Sequence, residues 1–94
     1  MSEKSFESVW DAIEDTPAEA ANMRARSEFM AAIQQTVEAW RLTQAEAASR
    51  LGVTQPRMND LLRGRIDKFS LDALMNLASA AGLTVAWSLT RNAA

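Results

Sequence analysis

The stretch from Thr43 to Arg65, TQAEAASRLGVTQPRMNDLLRGR, constrains the fold more than any other part of the chain. Two short helices are written there together with their start and stop signals. Thr43 and Glu46 form a capping box that opens a helix Gln44–Leu51. Gly52 closes it, because glycine most readily takes the left-handed conformation that ends a helix. Thr54 caps a second helix running from Gln55 to about Arg63, with Gly64 as its stop. Pro56 is tolerated in the first turn, where the amides have no intrahelical partner. With so short a joint the helices must cross steeply, which requires a small residue at the crossing, and Ala48 stands there. Ala47, Leu51, Val53, Met58 and Leu61 are predicted to fill the space between them. An ordinary helical hairpin would show the same glycine and the same apolar period. The outward face of the second helix separates the two readings.

On a wheel of about 100° per residue, Met58, Leu61 and Leu62 point inward. Pro56, Asn59, Asp60 and Arg63 then face outward, with Gln55 and Arg57 at the flanks. The N-terminal part of such a helix meets base edges in the major groove of DNA. Arginine matches guanine O6 and N7, and Asn or Gln matches adenine N6 and N7. Gln55, Arg57 and Asn59 are therefore the expected base readers. Asp60 is awkward, because a carboxylate repels phosphate. It is expected either to accept from a cytosine amino group or to hold Arg57 and Arg63, three residues to either side. Arg63, Arg65 and Lys68 follow the helix and are expected at phosphates, which position without specifying. Gln44 and Thr54, at the starts of the two helices, are expected at phosphates too.

Around this pair the remaining elements read as helices and one strand. Phe6, Val9, Trp10 and Ile13 recur at i, i+3, i+4 and i+7, marking an amphipathic stretch within an acidic segment 1–15. Thr16 as N-cap, Pro17 and Glu19 open a long helix that meets no Gly or Pro before about Trp40. Its apolar stripe is Met23, Met30, Ile33, Val37 and Trp40, with Phe29 beside it. At 1.5 Å per residue it spans roughly 35 Å, more than a domain of this size needs for its own core. Ser70 caps a last helix carrying Leu71, Leu74, Met75 and Leu77, which Gly82 closes. The tail then changes period: Leu83, Val85, Trp87 and Leu89 alternate with Thr84, Ala86, Ser88 and Thr90, as in a half-buried strand. The expected fold is all-α, with four to five helices and a single C-terminal β-strand. Residues 16–94 form the domain and 1–15 an appended segment.

A lone strand leaves its backbone groups unpaired. The expected partner is the same strand of a second copy across a two-fold axis, with Val85 and Trp87 near the centre. The edge of another protein's sheet is the alternative.

Charge and composition narrow the chemistry. The 94 residues carry a net charge of −2. Residues 1–22 set six acidic side chains against Lys4 alone, a net of −5, whereas residues 41–68 hold six basic against three acidic, a net of +3. This asymmetry suggests two kinds of partner, although two solvated faces would look the same. Cys and His are both absent, which removes disulfides, thiolate nucleophiles, imidazole catalysis and zinc sites built on those residues. The carboxylates Asp11, Glu14 and Asp15 have no companion nucleophile. No enzyme, metal or cofactor is expected. No apolar run approaches the ~18 residues of a membrane span, and a cytoplasmic location is expected.

TQAEAASRLGVTQ and the following LLRGR resemble the XRE-type helix-turn-helix regulators, the group that includes lambdoid phage repressors. DTPAEAANMRARSEFM upstream and FSLDALMNLASAAGLTV downstream are similar to the small HigA-type antitoxins encoded beside RelE-like toxins. The resemblance covers about residues 6–87. It implies a lambda-repressor-like domain and a homodimer that represses its own operon at a palindromic double-stranded operator. It further implies that the dimer binds and neutralises a ribosome-dependent mRNA endonuclease. The family's phosphate-holding glutamine falls on Gln44 and its first base-contacting glutamine on Gln55. The next family position often holds a polar reader; here it is Pro56, so no base preference carries over. RelE-like toxins are generally basic, which makes the acidic segment with Phe6, Val9, Trp10 and Ile13 the candidate toxin-docking element. Packing of that segment on its own domain is the alternative. A stand-alone or prophage-type repressor without a toxin is the alternative function.

Overall fold

Four α-helices and one 3-10 turn make up the computed structural model, which describes residues 16–86 and 88–91. They are α1 (Pro17–Trp40), α2 (Gln44–Leu51), α3 (Gln55–Leu62), the 3-10 turn Ile66–Lys68, and α4 (Leu71–Ala80). The expected amphipathic stretch Phe6–Ile13 and the tail residue Trp87 lie outside the described residues.

The capping signals act where the sequence places them. The Thr16 hydroxyl accepts from the Glu19 amide at 3.2 Å and donates to the Glu19 carboxylate at 2.7 Å. Thr43 and Glu46 close a complete capping box, with bonds of 3.1 and 2.9 Å. Thr54 and Ser70 accept from the amides of Arg57 and Ala73. Each such bond satisfies one of the donors that a helix start leaves open. At the joint, Gly52 has φ +75°, and the Val53 amide reaches back to the Ala48 carbonyl at 2.9 Å. This is the pattern that ends a helix on a left-handed residue. An added Cβ at Gly52 would meet nothing within 4 Å, so the dihedral and not space requires glycine there.

All four helices feed one core. α1 contributes Met30, Ile33 and Val37; α2 contributes Ala47, Ala48 and Leu51; α3 contributes Met58 and Leu61; α4 contributes Leu74, Leu77 and Ala78. Phe69, on the connection before α4, completes it. α1 packs chiefly on α4 and also touches α3 and the 3-10 turn, while α2 packs on α3. The first half of α1 contributes no fully buried side chain, in keeping with a helix longer than its own core requires.

Two expectations are corrected. Leu62, placed inward on the wheel, is 36% exposed, because α3 buries only the narrow stripe through Met58 and Leu61. The C-terminal strand is absent: among the described residues no segment is paired as β-structure. Leu83 and Val85 do rest against the core, with Thr84 and Ala86 exposed, so the predicted alternation holds over residues 83–86, whereas Leu89, expected on the same buried side, is 97% exposed. A ladder is a relation between two strands, and among the described residues none pairs with this segment. Leu83 instead gives its amide to the Ala78 carbonyl as part of the exit from α4.

α1 ends without a glycine. Arg41 occupies its C-cap at φ 56°, ψ 36°, a left-handed conformation that pushes a Cβ against the following carbonyl. Its side chain is exposed. Arg41→Gly is therefore expected to stabilise the fold by up to about 1 kcal/mol, the relief being offset in part by the freer unfolded chain. A rise in the denaturation midpoint at unchanged m-value is the measurement; a fall would mean the Arg41 side chain contributes more than its strain costs.

Candidate nucleic-acid interface

The two short helices bring the candidate side chains together at their N-terminal ends. Gln44, the first residue of α2, donates from Nε2 to the Gln55 carbonyl at 3.3 Å. The residue expected at a phosphate and the first expected base reader are thus joined across the joint. Gln55 and Pro56 are exposed and Asn59 is half-buried, so the start of α3 offers polar groups to a ligand. The Thr54 hydroxyl accepts from the Arg57 amide at 3.2 Å, which anchors the helix start.

The charged residues sort differently from expectation. Asp60 holds neither Arg57 nor Arg63. Its carboxylate accepts from Arg65 at 3.3 Å, across the turn that ends α3. The turn explains this choice: the Arg65 amide bonds to the Asp60 carbonyl at 3.0 Å, which folds the two residues onto each other. The pairing covers the carboxylate that would otherwise repel phosphate. It also engages Arg65, one of the expected phosphate contacts. Arg63 and Lys68 are exposed and, among the described residues, make no side-chain bond within the chain.

Arg57 departs furthest from its expected setting. Its guanidinium donates to the Lys68 carbonyl at 2.8 Å and lies over the Phe69 ring, 4.0 Å from the centroid. A cation in that position is attracted by the ring's negative face. Phe69 is itself 2% exposed.

Three supporting residues were not singled out by sequence reasoning. Arg26 of α1 donates to the carbonyls of Ile66 and Phe69, both at 3.3 Å, and to Asn22 at 2.8 Å. Gln34 donates to the Leu61 carbonyl at 2.8 Å, tying the end of α3 to α1. Phe69 joins the core from a connection with no helical period to announce it. For Arg26 a signal was present: it falls between Met23 and Met30 at the spacing of the apolar stripe. A charge in such a stripe needs a partner.

A family model described as a helix-turn-helix domain matches residues 12–89. Among curated proteins, none matches the chain's sequence. The capped helix pair, the left-handed glycine at the joint and the exposed start of α3 all fall within the matched region. The chain belongs to the helix-turn-helix domain family, and its candidate interface is that of a DNA-binding domain.

Proposed function

We propose that the protein is a sequence-specific transcriptional repressor, and that it is the antitoxin of a toxin–antitoxin pair in the cytoplasm, autoregulating its operon and neutralising a basic RelE-like mRNA endonuclease. The observation that carries the DNA-binding part is the exposed start of α3, with Gln55 joined to Gln44, Pro56 beside it and the half-buried Asn59 one turn further on. Gln55 and Asn59 are the proposed base readers. Arg63 and Lys68, exposed and without an internal partner among the described residues, are the proposed phosphate contacts, with Gln44 at the start of α2. The antitoxin part is supported by the resemblance of DTPAEAANMRARSEFM and FSLDALMNLASAAGLTV to HigA-type chains, and by the acidic charge of residues 1–22. Acidic charge speeds encounter with a basic partner, and apolar anchors such as Phe6, Val9, Trp10 and Ile13 supply affinity.

A homodimer is part of the proposal, because two α3 helices reach half-sites about one helical turn apart, ~34–36 Å. The alternating tail with Val85 and Trp87 is its proposed seam, and Leu89, 97% exposed, lies on the same alternation.

In selection from random duplex DNA, the full chain should recover a two-fold palindrome. Asn59→Ala should then cost about 1–3 kcal/mol at one base pair of each half-site, whereas Lys68→Ala should weaken all sequences alike. The salt slope of log affinity should fall by about 0.9 for each phosphate contact removed. A uniform loss for Asn59→Ala would remove it from the readers.

Deleting residues 1–14 should leave operator affinity within a few-fold of wild type and abolish protection of cells from the toxin encoded beside it. Protection by the truncated chain would place toxin docking elsewhere.

Val85→Asp combined with Trp87→Asp should convert a dimer to a monomer in sedimentation and weaken operator binding by orders of magnitude. A variant that stays dimeric with normal affinity would move the seam to α1.

A further inference from the structure

The connection between α3 and α4 is held by two arginines from outside it. Of the four residues Ile66–Phe69, three offer carbonyls to a guanidinium: Ile66 and Phe69 to Arg26, and Lys68 to Arg57. Arg57 also covers the face of Phe69. The main chain at Lys68 is thus fastened, while its ammonium group is exposed and makes no bond within the chain among the described residues. A fixed backbone with a free charge is the arrangement that presents a cation at a defined place. Turning Arg57 out toward a base would strip the Lys68 carbonyl of its donor and uncover the Phe69 ring.

We propose that Arg57 is a positioning residue: it ties the Ile66–Phe69 connection to the recognition helix α3, so that Lys68 meets the DNA backbone in register with the α3 readers, and it reads no base itself. This rests on the reading of α3 as a DNA-recognition helix. It assigns to the chain a coupling between its specificity element and its phosphate contact. The planar guanidinium suits the task, since one group both stacks on a ring and donates in its own plane. Glutamine at this position keeps a donor but loses the charge and the stacked plane.

The test uses the full chain and the duplex it selects, titrated over a range of salt and over a panel of single-base-pair variants. Wild type, Arg57→Gln, Lys68→Ala and the double variant are compared, with circular dichroism confirming the fold. Arg57→Gln is expected to lose about 10-fold in affinity, equally across the panel, a change of roughly 1.4 kcal/mol. Its salt slope should fall by up to about 0.9, as for Lys68→Ala, and the double variant should be little worse than either single one. Relaxed preference at one base pair with an unchanged slope would overturn the proposal and restore Arg57 as a reader. Additive losses would overturn it as well. Phe69→Leu, which removes the ring face and keeps the core apolar, should show the same signature at smaller size and decides the matter if Arg57→Gln fails to fold. Hydrogen exchange at the Lys68 and Phe69 amides, bonded to Arg65 and Ile66 carbonyls, needs no DNA. Faster exchange in Arg57→Gln is expected; unchanged exchange would mean no clamp exists. A wild-type chain that selects no duplex would sink the DNA reading while this exchange result still stood.

Discussion

Helices of eight residues do not hold themselves together in water, because the first turn is costly to nucleate and few bonds follow it. α2 and α3 are both of that length, so everything at the interface depends on what they are packed against. The contact that matters is the burial of Met58 and Leu61 of α3 with Ile33 of α1 and Leu74 of α4, each at 0–1% exposure. Burying side chains of this size supplies about 1.5–3 kcal/mol apiece, against helix propensities of a few tenths. The outer face of α3 is therefore free to be chosen for its ligand, since its Thr54 cap and its buried inner face hold it as a helix.

Polar ties refine what the apolar core makes possible. Gln34 takes the last turn of α3, Arg26 and Arg57 take the connection after it, and Gln44 bridges to its first residue. Each donor meets a main-chain carbonyl. Bonds of this kind set position more than stability, because folding forms them at the expense of bonds to water. Their arrangement at both ends of α3 orients one helix relative to the rest of the domain. Arg50, over the Trp40 ring at 4.0 Å, does the same for the far end of α1.

Electrostatics at the interface follows the same economy of partners. Asp60 is the one acidic residue on α3, and Arg65 neutralises it at the turn. A solvent-exposed pair of this kind adds little stability, about 0–1 kcal/mol at most. Its consequence is local: the acidic side chain carried by α3 is paired, and the net charge of −2 of the whole chain gives no sign of this.

The helix boundaries were legible in the sequence because caps and stops act over three or four residues. Thr16, Thr43, Thr54, Ser70 and Gly52 each do their work through neighbours in the chain, so their roles do not wait on tertiary structure. The exposed start of α3 was legible for the same reason, once the apolar stripe had chosen the inner face. Side chains long enough to reach another element were not. Arg57, Arg65 and Arg26 can each turn several ways, and the choice among them belongs to the carbonyls of Lys68 and Ile66, the carboxylate of Asp60 and the ring of Phe69. Those groups come within reach only when the connection folds back on α3. The tail shows the same division: the alternation of Leu83 and Val85 with Thr84 and Ala86 is a local property and persists, whereas a β-ladder is a relation between two strands. Local chemistry determined where each element begins, ends and buries its face; tertiary packing alone decided which charges meet one another and which remain for a ligand.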